Sequence, residues 1–350
     1  MIPVYLQTPA GALVQRLNAH SGTLTRNVGQ IGTLEMVCDT PIALDMGYRV
    51  FVDHPNESST LWIVTGKEEV LIGDQYLTKI IAEDGKRLYT KRIVWAYDDT
   101  TEGYKINYPQ VIAKEVINEN MVSAVLTERN VPDLQAATFP VTDSSWSAWE
   151  GEVAWLTVWD VITKMMEFGR ATDNPFVVDL LVEANGSRLL PVISRRLGTD
   201  RVFTSQQLSR YGISVRAATS AANAALRCIA VGEGEGALAL LYAYPPVVTL
   251  LSSTNPFYYT EASVTLGNED DMGALEQAAR TEHARIAART TLVLEGAAPV
   301  QEFWGVYIGY GDHLLIQHNG VDYDMTVVGY SLQWSGAEEP SVSLVCAEGY

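Results

Sequence analysis

Cysteine is scarce in this chain, and the few thiols present form no recognisable pattern. Among 350 residues, Cys38, Cys228 and Cys346 are odd in number and far apart. A disulfide framework needs paired cysteines, and a structural zinc site needs closely spaced ligands such as CxxC. The sequence therefore predicts small buried thiols in a reducing compartment, with neither a disulfide nor a metal site.

Positive charge is scarce as well. Lys and Arg number 24 against 42 Asp and Glu, which gives a formal net charge of −18. Binding nucleic acid through its phosphates requires clustered Lys and Arg, so the composition argues against a nucleic-acid-binding surface. An acidic wall can nevertheless surround DNA without adhering to it, because like charges repel.

Long apolar runs are also missing. The longest, such as residues 237–244, fall far short of the roughly 20 residues that a membrane-spanning helix needs. The N-terminal segment lacks the charged and apolar regions of a secretory signal. Hydrophobic residues make up 47 % and charged residues 19 %, which is typical of a folded globular protein. We therefore expect a protein that folds inside the cell and carries no membrane anchor.

Motifs of catalysis and cofactor binding are absent from the sequence. There is no GxSxG nucleophile motif and no cysteine beside a suitable histidine. Gly232–Gly236 alternates glycine with glutamate, which would repel a phosphate, so we expect a turn between strands there. His313 and His318 are predicted to face opposite sides of a strand. The prediction is therefore no catalytic residue, no cofactor and no metal.

Alternating apolar residues, by contrast, are abundant near the start of the chain. The stretch Leu61–Trp95 reads as two or three adjacent strands, with turns at Gly73-Asp74 and Asp84-Gly85. It ends in a basic segment that contains four cations in an otherwise acidic chain: Lys86, Arg87, Lys91 and Arg92.

Helical patterns are concentrated in the middle of the sequence. One helix is predicted over 109–120, with proline in its first turn, and a second over about 152–168, ending at Gly169. A further surface helix with a narrow apolar stripe is predicted near 270–289.

These patterns together predict a mainly β fold with an α+β insertion. Short strands at this spacing favour a small barrel or sandwich for the first region, and two β domains would flank a mixed helical domain. The predicted boundaries are a first β domain over 1–98, an α+β insertion over 99–197, and a second β domain over 198–350.

Several short motifs follow one another in an order that is typical of one family. They are Gly85-Lys-Arg-Leu88 through Arg92-Ile-Val94, Arg201-Val-Phe-Thr-Ser205, Val231–Gly236, Gly311-Asp-His-Leu314 and Val327-Val-Gly-Tyr-Ser331. In this order they resemble the baseplate hub, or minor tail, proteins of long-tailed phages. Thr204 and Leu314 depart from the residues usual in that family, but the family has no catalytic site that such departures would affect.

The resemblance implies a structural role in the virion. Each subunit would contribute two β-barrel tube domains, 1–98 and 198–350, and three copies would form a pseudo-sixfold ring that closes the tail tube around the DNA ejection channel. The ring would adapt the sixfold tube and distal tail protein to a threefold tip that takes part in host attachment. Further implied partners are the tape measure protein and a central fibre or other tail-tip proteins. DNA would pass through the lumen without specific binding, and assembly would take place in the host cytoplasm.

The same resemblance gives the basic segment an expected place. Leu61–Trp95 becomes the outer hairpin and edge of the first tube domain. Lys86, Arg87, Lys91 and Arg92 are then expected to contact an acidic surface on a neighbouring subunit or protein.

Two other functions stay open on the sequence. A carbohydrate-binding tail-tip module would stack a sugar on Trp146 and Trp149, which share one aromatic loop. A β-rich cell-wall hydrolase would need a carboxylate pair such as Asp322 and Asp324, but acids are abundant throughout this chain.

Overall fold

Strands dominate the structure, a computed structural model. Strands account for 49 % of it and helices for 20 %, which confirms the mainly β class with an α+β insertion. The described residues are 2–40, 44–54, 57–95, 103–139, 146–183, 188–195, 198–220, 225–234, 239–246, 261–267, 269–286, 289–297, 308–336 and 340–348.

The first β region contains seven strands and ends in one short helical turn. Its elements are β1 Val4–Gln7, β2 Leu13–Leu17, β3 Ala19–Asn27, β4 Gln30–Asp39, β5 Arg49–Val52, β6 Trp62–Ile72, β7 Gln75–Asp84 and α1 Arg87–Thr90. The predicted turn at Gly73-Asp74 joins β6 to β7, and Gly73 has a φ of +61°, which glycine adopts without steric cost.

The inserted region follows α1 and packs its own core. Its elements are β8 Tyr104–Asn107, α2 Pro109–Ile117, a π-helical turn Asn118–Val122, a 3-10 turn Thr127–Arg129, β9 Trp149–Glu152, α3 Val158–Ala171, β10 Val177–Val182 and β11 Leu189–Ser194. Helix α3 begins with a capping box: the Asp160 N–H donates to the Thr157 hydroxyl at 3.0 Å, and Asp160 accepts from the Thr157 N–H at 3.3 Å. The Trp159 and Met165 side chains of α3 are buried, so its apolar stripe is core.

The second β region completes the chain. Its elements are β12 Asp200–Thr204, α4 Ser205–Arg210, β13 Ser214–Ser220, β14 Arg227–Val231, β15 Leu241–Tyr244, β16 Glu261–Thr265, α5 Met272–Ile286, β17 Arg289–Ala297, β18 His313–His318, β19 Val321–Ser335 and β20 Ser341–Ala347. Helix α5 buries Leu275 and Ala279 of its predicted stripe against the small sheet β15-β14-β16, whereas Ile286, the third residue of that stripe, is only half-buried.

One sheet of 13 strands unites the two ends of the chain. Its order is β13-β17-β20-β19-β3-β4-β7-β6-β5-β1-β2, with β18 paired to β19 and β12 parallel to β18. The junction is the antiparallel pairing of β3 with β19, in which Leu24 lies directly opposite Leu332. Both leucines are fully buried in a core to which the two β regions contribute. The division of the chain at residues 98 and 197 stays a prediction.

The β6–β7 hairpin does not lie at an edge along its whole length, which corrects the sequence prediction. Strand β7 pairs with β4 from Leu77 to Glu83, and the base of β6 pairs with β5. Strand β5 has four residues and β6 has eleven. In the described part of the chain, the outer half of β6, Lys67–Ile72, therefore has β7 as its strand partner on one side and none on the other.

The β3–β19 junction leads to a prediction about folding cooperativity. Leu332→Ala removes a buried side chain at the junction and should lower the free energy of unfolding by about 2–5 kcal/mol. Because both β regions share the core, amides in β4 and in β20 should lose hydrogen-exchange protection together. The exposed neighbour Gln333→Ala is the matched control and should change little. Loss of protection in β20 alone would show that the two β regions unfold independently.

Candidate assembly surfaces and the buried ion cluster

Lys86, the first of the four predicted interface cations, is buried. Its side chain has no exposed surface, and its ammonium donates to the Asn27 carbonyl at 2.8 Å and lies 3.1 Å from Asp84. A charge that is enclosed and paired inside one subunit cannot contact a neighbouring one. The prediction was therefore wrong for Lys86, because the turn after β7 directs this side chain into the protein.

The other three cations lie nearer the surface. Arg87 is half-buried and forms an ion pair with Glu83. Arg92 is half-buried too, and its Nε donates to the Arg129 carbonyl at 2.9 Å. Lys91 is exposed. An interface role for these three stays a prediction.

A surface of mixed basic and aromatic character forms around Lys91 and Arg92. Two short segments run side by side there: the Val94 N–H donates to the Leu156 carbonyl at 2.8 Å, and the Val158 N–H donates to the Arg92 carbonyl at 2.8 Å. This pairing brings separate parts of the sequence together on one surface. We call it the basic–aromatic patch, defined by Lys91, Arg92, Ile93, Arg129, Trp155 and Leu156.

Trp155 is the most prominent side chain of the basic–aromatic patch. It is 59 % exposed, and its φ of +64° is uncommon for a residue other than glycine. Its N–H donates to the Val94 carbonyl at 2.9 Å, and its ring meets the Trp95 ring edge-on at 5.7 Å. The Arg129 guanidinium lies 5.4 Å from the Trp95 ring centre. The backbone thus holds a large apolar ring in solvent beside several cations.

The predicted helix over about 152–168 would contain Trp155, whereas the structure leaves this residue outside the helix. The predicted helix began near residue 152, whereas α3 begins at Val158. The signal that locates this start was present in the sequence, because Thr157 and Asp160 have the spacing of a capping box. Starting the helix after Thr157 leaves Trp155 outside it.

The two predicted sugar-stacking residues are core residues. Trp146 and Trp149 are 4 % and 2 % exposed. Trp146 packs edge-on against Phe139, and the Lys164 ammonium lies 4.8 Å from the Trp149 ring centre. The stacking role is therefore a wrong prediction, because neither ring is open to a sugar.

The far end of the β6–β7 hairpin is a second exposed surface, which we call the hairpin tip, Lys67–Tyr76. Leu71 and Tyr76 face each other across the two strands and are 59 % and 73 % exposed. Glu69 lies on the same face as Leu71, since residues two apart along a strand share a face. Glu68 and Asp74 add further negative charge, and the outer half of β6 leaves backbone groups unpaired in the described structure.

The protein interior contains a buried ion cluster formed by Arg26, Glu57, Asp84, Lys86 and Asp179. Arg26 donates to Asp179 at 2.5 Å, lies 3.9 Å from Glu57, and its guanidinium carbon is 4.5 Å from the Tyr310 ring centre. The cluster thus joins the first β region to β10 of the insertion and to Tyr310 of the second β region. It holds three carboxylates against two cations, in surroundings where unpaired charge is costly.

Glu57 is the carboxylate of the cluster whose pKa is most informative. Burial raises the pKa of its carboxyl to about 7, against the opposing effects of Arg26 and of the Trp62 indole, which donates to it at 2.6 Å. Burial also raises the pKa of Asp84, against the pull of Lys86 and Arg26. Glu57 and Asp84 therefore both tend to hold a proton in the folded protein.

This proton gives a testable pH dependence. Glu57 has an ordinary pKa of 4.5 and a folded pKa of about 7, so folded molecules hold a proton that unfolded ones release between these values. The free energy of unfolding should therefore decrease as pH rises through that window. Glu57→Gln should flatten the decrease, measured by urea unfolding from about pH 5 to about pH 8. Glu68→Gln, at an exposed position, is the control, and an unchanged slope in Glu57→Gln would contradict the assignment.

Other chemistry finds little support in the part of the chain that the structure describes. No group of three or more His, Cys, Asp or Glu residues there has a metal-binding arrangement. His313 lies 3.2 Å from Asp200 and also contacts Asp324, an ion-pair arrangement across β12, β18 and β19. None of the described helices is both long enough and apolar enough to cross a bilayer.

Comparison with known proteins identifies the fold. No protein-family model and no curated protein matches the sequence. Solved structures do match along the whole chain. The 43 kDa tail protein of prophage MuSo2 from Shewanella oneidensis is 14 % identical, covers 98 % of each chain and superposes with a TM-score of 0.57.

Two further structures agree. A tail protein from Neisseria meningitidis MC58 is 14 % identical, with 99 % of this chain and 96 % of that chain covered and a TM-score of 0.54. The prophage tail protein gp18 from Listeria monocytogenes EGD-e is 11 % identical, with 98 % and 94 % covered and a TM-score of 0.53. The chain therefore has the fold of phage tail proteins, which confirms the fold that the sequence resemblance implied.

Proposed function

We propose that this protein is a structural component of a phage tail, and that three copies form the hub ring at the tail tip. The observation that carries the proposal is the agreement of fold over nearly the full length of several phage tail proteins, including the MuSo2 protein at 98 % of both chains. At such low identity the agreement concerns the fold. The ring and its place in the tail are therefore our inference.

The architecture suits a subunit that forms part of the wall of a channel. A single sheet runs through both β regions, and a buried ion cluster ties the insertion to that sheet. A subunit built in this way could hold its neighbours in place without its two β regions separating. The net charge of −18 would let DNA pass a lumen formed by this wall without adhering to it.

The proposed partners follow from this place in the virion. They are two further copies of the chain, the distal tail protein, the tape measure protein, and a central fibre or other tail-tip proteins. The subunits would assemble in the host cytoplasm and remain in the virion through DNA ejection and host attachment. In this proposal the chain has no catalytic role and takes no cofactor. Of the original interface candidates, Lys91 and Arg92 lie on the basic–aromatic patch.

The structure gives less support to the carbohydrate-binding module and to the cell-wall hydrolase than the sequence did. The carbohydrate-binding module rested on Trp146 and Trp149, and both rings are buried. The hydrolase needed a carboxylate pair, and Asp324 of its example pair contacts His313. No observation favours either function over the structural one.

Light scattering coupled to size-exclusion chromatography tests the ring. The chain has a mass of 38.4 kDa, so a trimer should give about three times that value, with the fraction of trimer rising with protein concentration by mass action. Dilution should release monomer. A strict monomer at the highest attainable concentration would contradict a ring that forms by self-association.

A further inference from the structure

We propose that the hairpin tip of one copy docks on the basic–aromatic patch of the next copy, head to tail around the ring. This inference rests on the proposed homotrimer and names the two surfaces that would meet. It assigns a partner to both surfaces at once.

The basic–aromatic patch has the composition of an interface centre. Tryptophan and arginine are the residue types most enriched where binding energy is concentrated. Trp155 is 59 % exposed, and Ile93 and Leu156 beside it are 38 % and 36 % exposed. Holding an exposed tryptophan at positive φ costs free energy, and burial of its ring in a contact would offset that cost.

The hairpin tip offers the complementary features. Tyr76 and Leu71 form an exposed apolar pair, and Glu69 stands on the same face one step further along β6. The apolar pair matches Trp155 and Leu156. Glu69, with Asp74 at the turn, matches Lys91 and the arginines, and Lys67 lies at the inner end of the same face, further from the turn.

Net charge makes this pairing selective. Two copies that each carry a charge of −18 repel one another over most of their surfaces. Attraction is strongest where cations gather on one side and carboxylates on the other. A contact between two hairpin tips would instead set Glu68, Glu69 and Asp74 of one copy against the same acids of the other.

Distance excludes a contact within one chain. Strand β7 runs from Gln75 at the hairpin tip to Asp84, just before the turn that leads to the basic–aromatic patch. Nine steps of about 3.3 Å separate these ends by roughly 30 Å. The two complementary surfaces lie near opposite ends of this hairpin, so neither can contact the other within one chain, and in the proposed ring the complement comes from another copy. Such a head-to-tail contact is heterologous, and it closes into a ring when the rotation between copies permits.

Cysteine cross-linking between copies tests the contact directly. Ile72→Cys lies at the hairpin tip on the face opposite Leu71, and Leu156→Cys lies on the basic–aromatic patch. The native thiols Cys38, Cys228 and Cys346 are buried and should not react in the folded protein. Because Ile72→Cys leaves the proposed contact face unchanged and points away from it, a mixture of the two single variants is treated with a bifunctional maleimide long enough to reach around the edge of the hairpin, and should give cross-linked dimers. The chain that carries both substitutions should give covalent trimers.

The matched control replaces Leu156→Cys with Val202→Cys, an exposed apolar position on β12, and should give no dimers with Ile72→Cys. Dimers from Ile72→Cys alone would show a tip-to-tip contact and overturn the proposal. If light scattering still finds a trimer but the mixture gives no dimers, the docking is overturned and the ring stands. If light scattering finds a monomer throughout, both are overturned.

Charge exchange provides an independent test. Lys91→Glu and Glu69→Lys should each raise the dissociation constant of the trimer by about tenfold, because each sets like charges face to face. Together they should restore most of the affinity. Arg210→Glu, an exposed cation on α4, makes the same change of charge elsewhere and should have little effect. Additive losses in the double variant would overturn the pairing of these two residues.

Discussion

The pairing of β3 with β19 is the constraint on which the rest of the structure depends. It joins strands from the two ends of the chain, with Leu24 opposite Leu332, and so makes one sheet from two sequence-distant β regions. Contacts of such sequence separation are costly to form in entropy, and the core that buries Leu24 and Leu332 offsets that cost. Without this pairing, β3 would not present Arg26 to the insertion.

Arg26 extends the same constraint into the inserted region. It lies on β3, and its contact with Asp179 places β10 against the sheet. The cluster around it is buried and holds more acids than cations, so it stabilises the protein less than its number of contacts suggests. We infer that the cluster instead helps to specify one position of the insertion on the sheet, because another position would leave Arg26 or Asp179 buried without its partner.

Local features were predictable from the sequence, and long-range ones were not. The β6–β7 hairpin follows from alternation and a glycine turn, and α2 follows from Pro109. The burial of Lys86 was not predictable, because its partner Asn27 is far away in sequence and is brought near by the sheet. The start of α3 was predicted near residue 152 but lies at Val158, an error of six residues that put the exposed Trp155 inside the helix. The basic segment could be recognised in the sequence. Which of its cations would be buried, as Lys86 is, and which would lie on the basic–aromatic patch depended on tertiary contacts.

If copies of this acidic subunit assemble as proposed, attraction between them must be confined to a few places. Uniform negative charge favours solubility and an open lumen, and it opposes every contact between copies. In the proposed ring, the long β6–β7 hairpin would resolve this conflict by keeping the two kinds of surface apart. It holds an acidic apolar tip about 30 Å from a basic aromatic surface, too far for either to satisfy the other within the subunit. Because the spacer is a strand of the shared sheet and not a flexible loop, the two surfaces keep a fixed relation. A fixed relation between complementary surfaces is what determines whether head-to-tail contacts close into a ring of defined size.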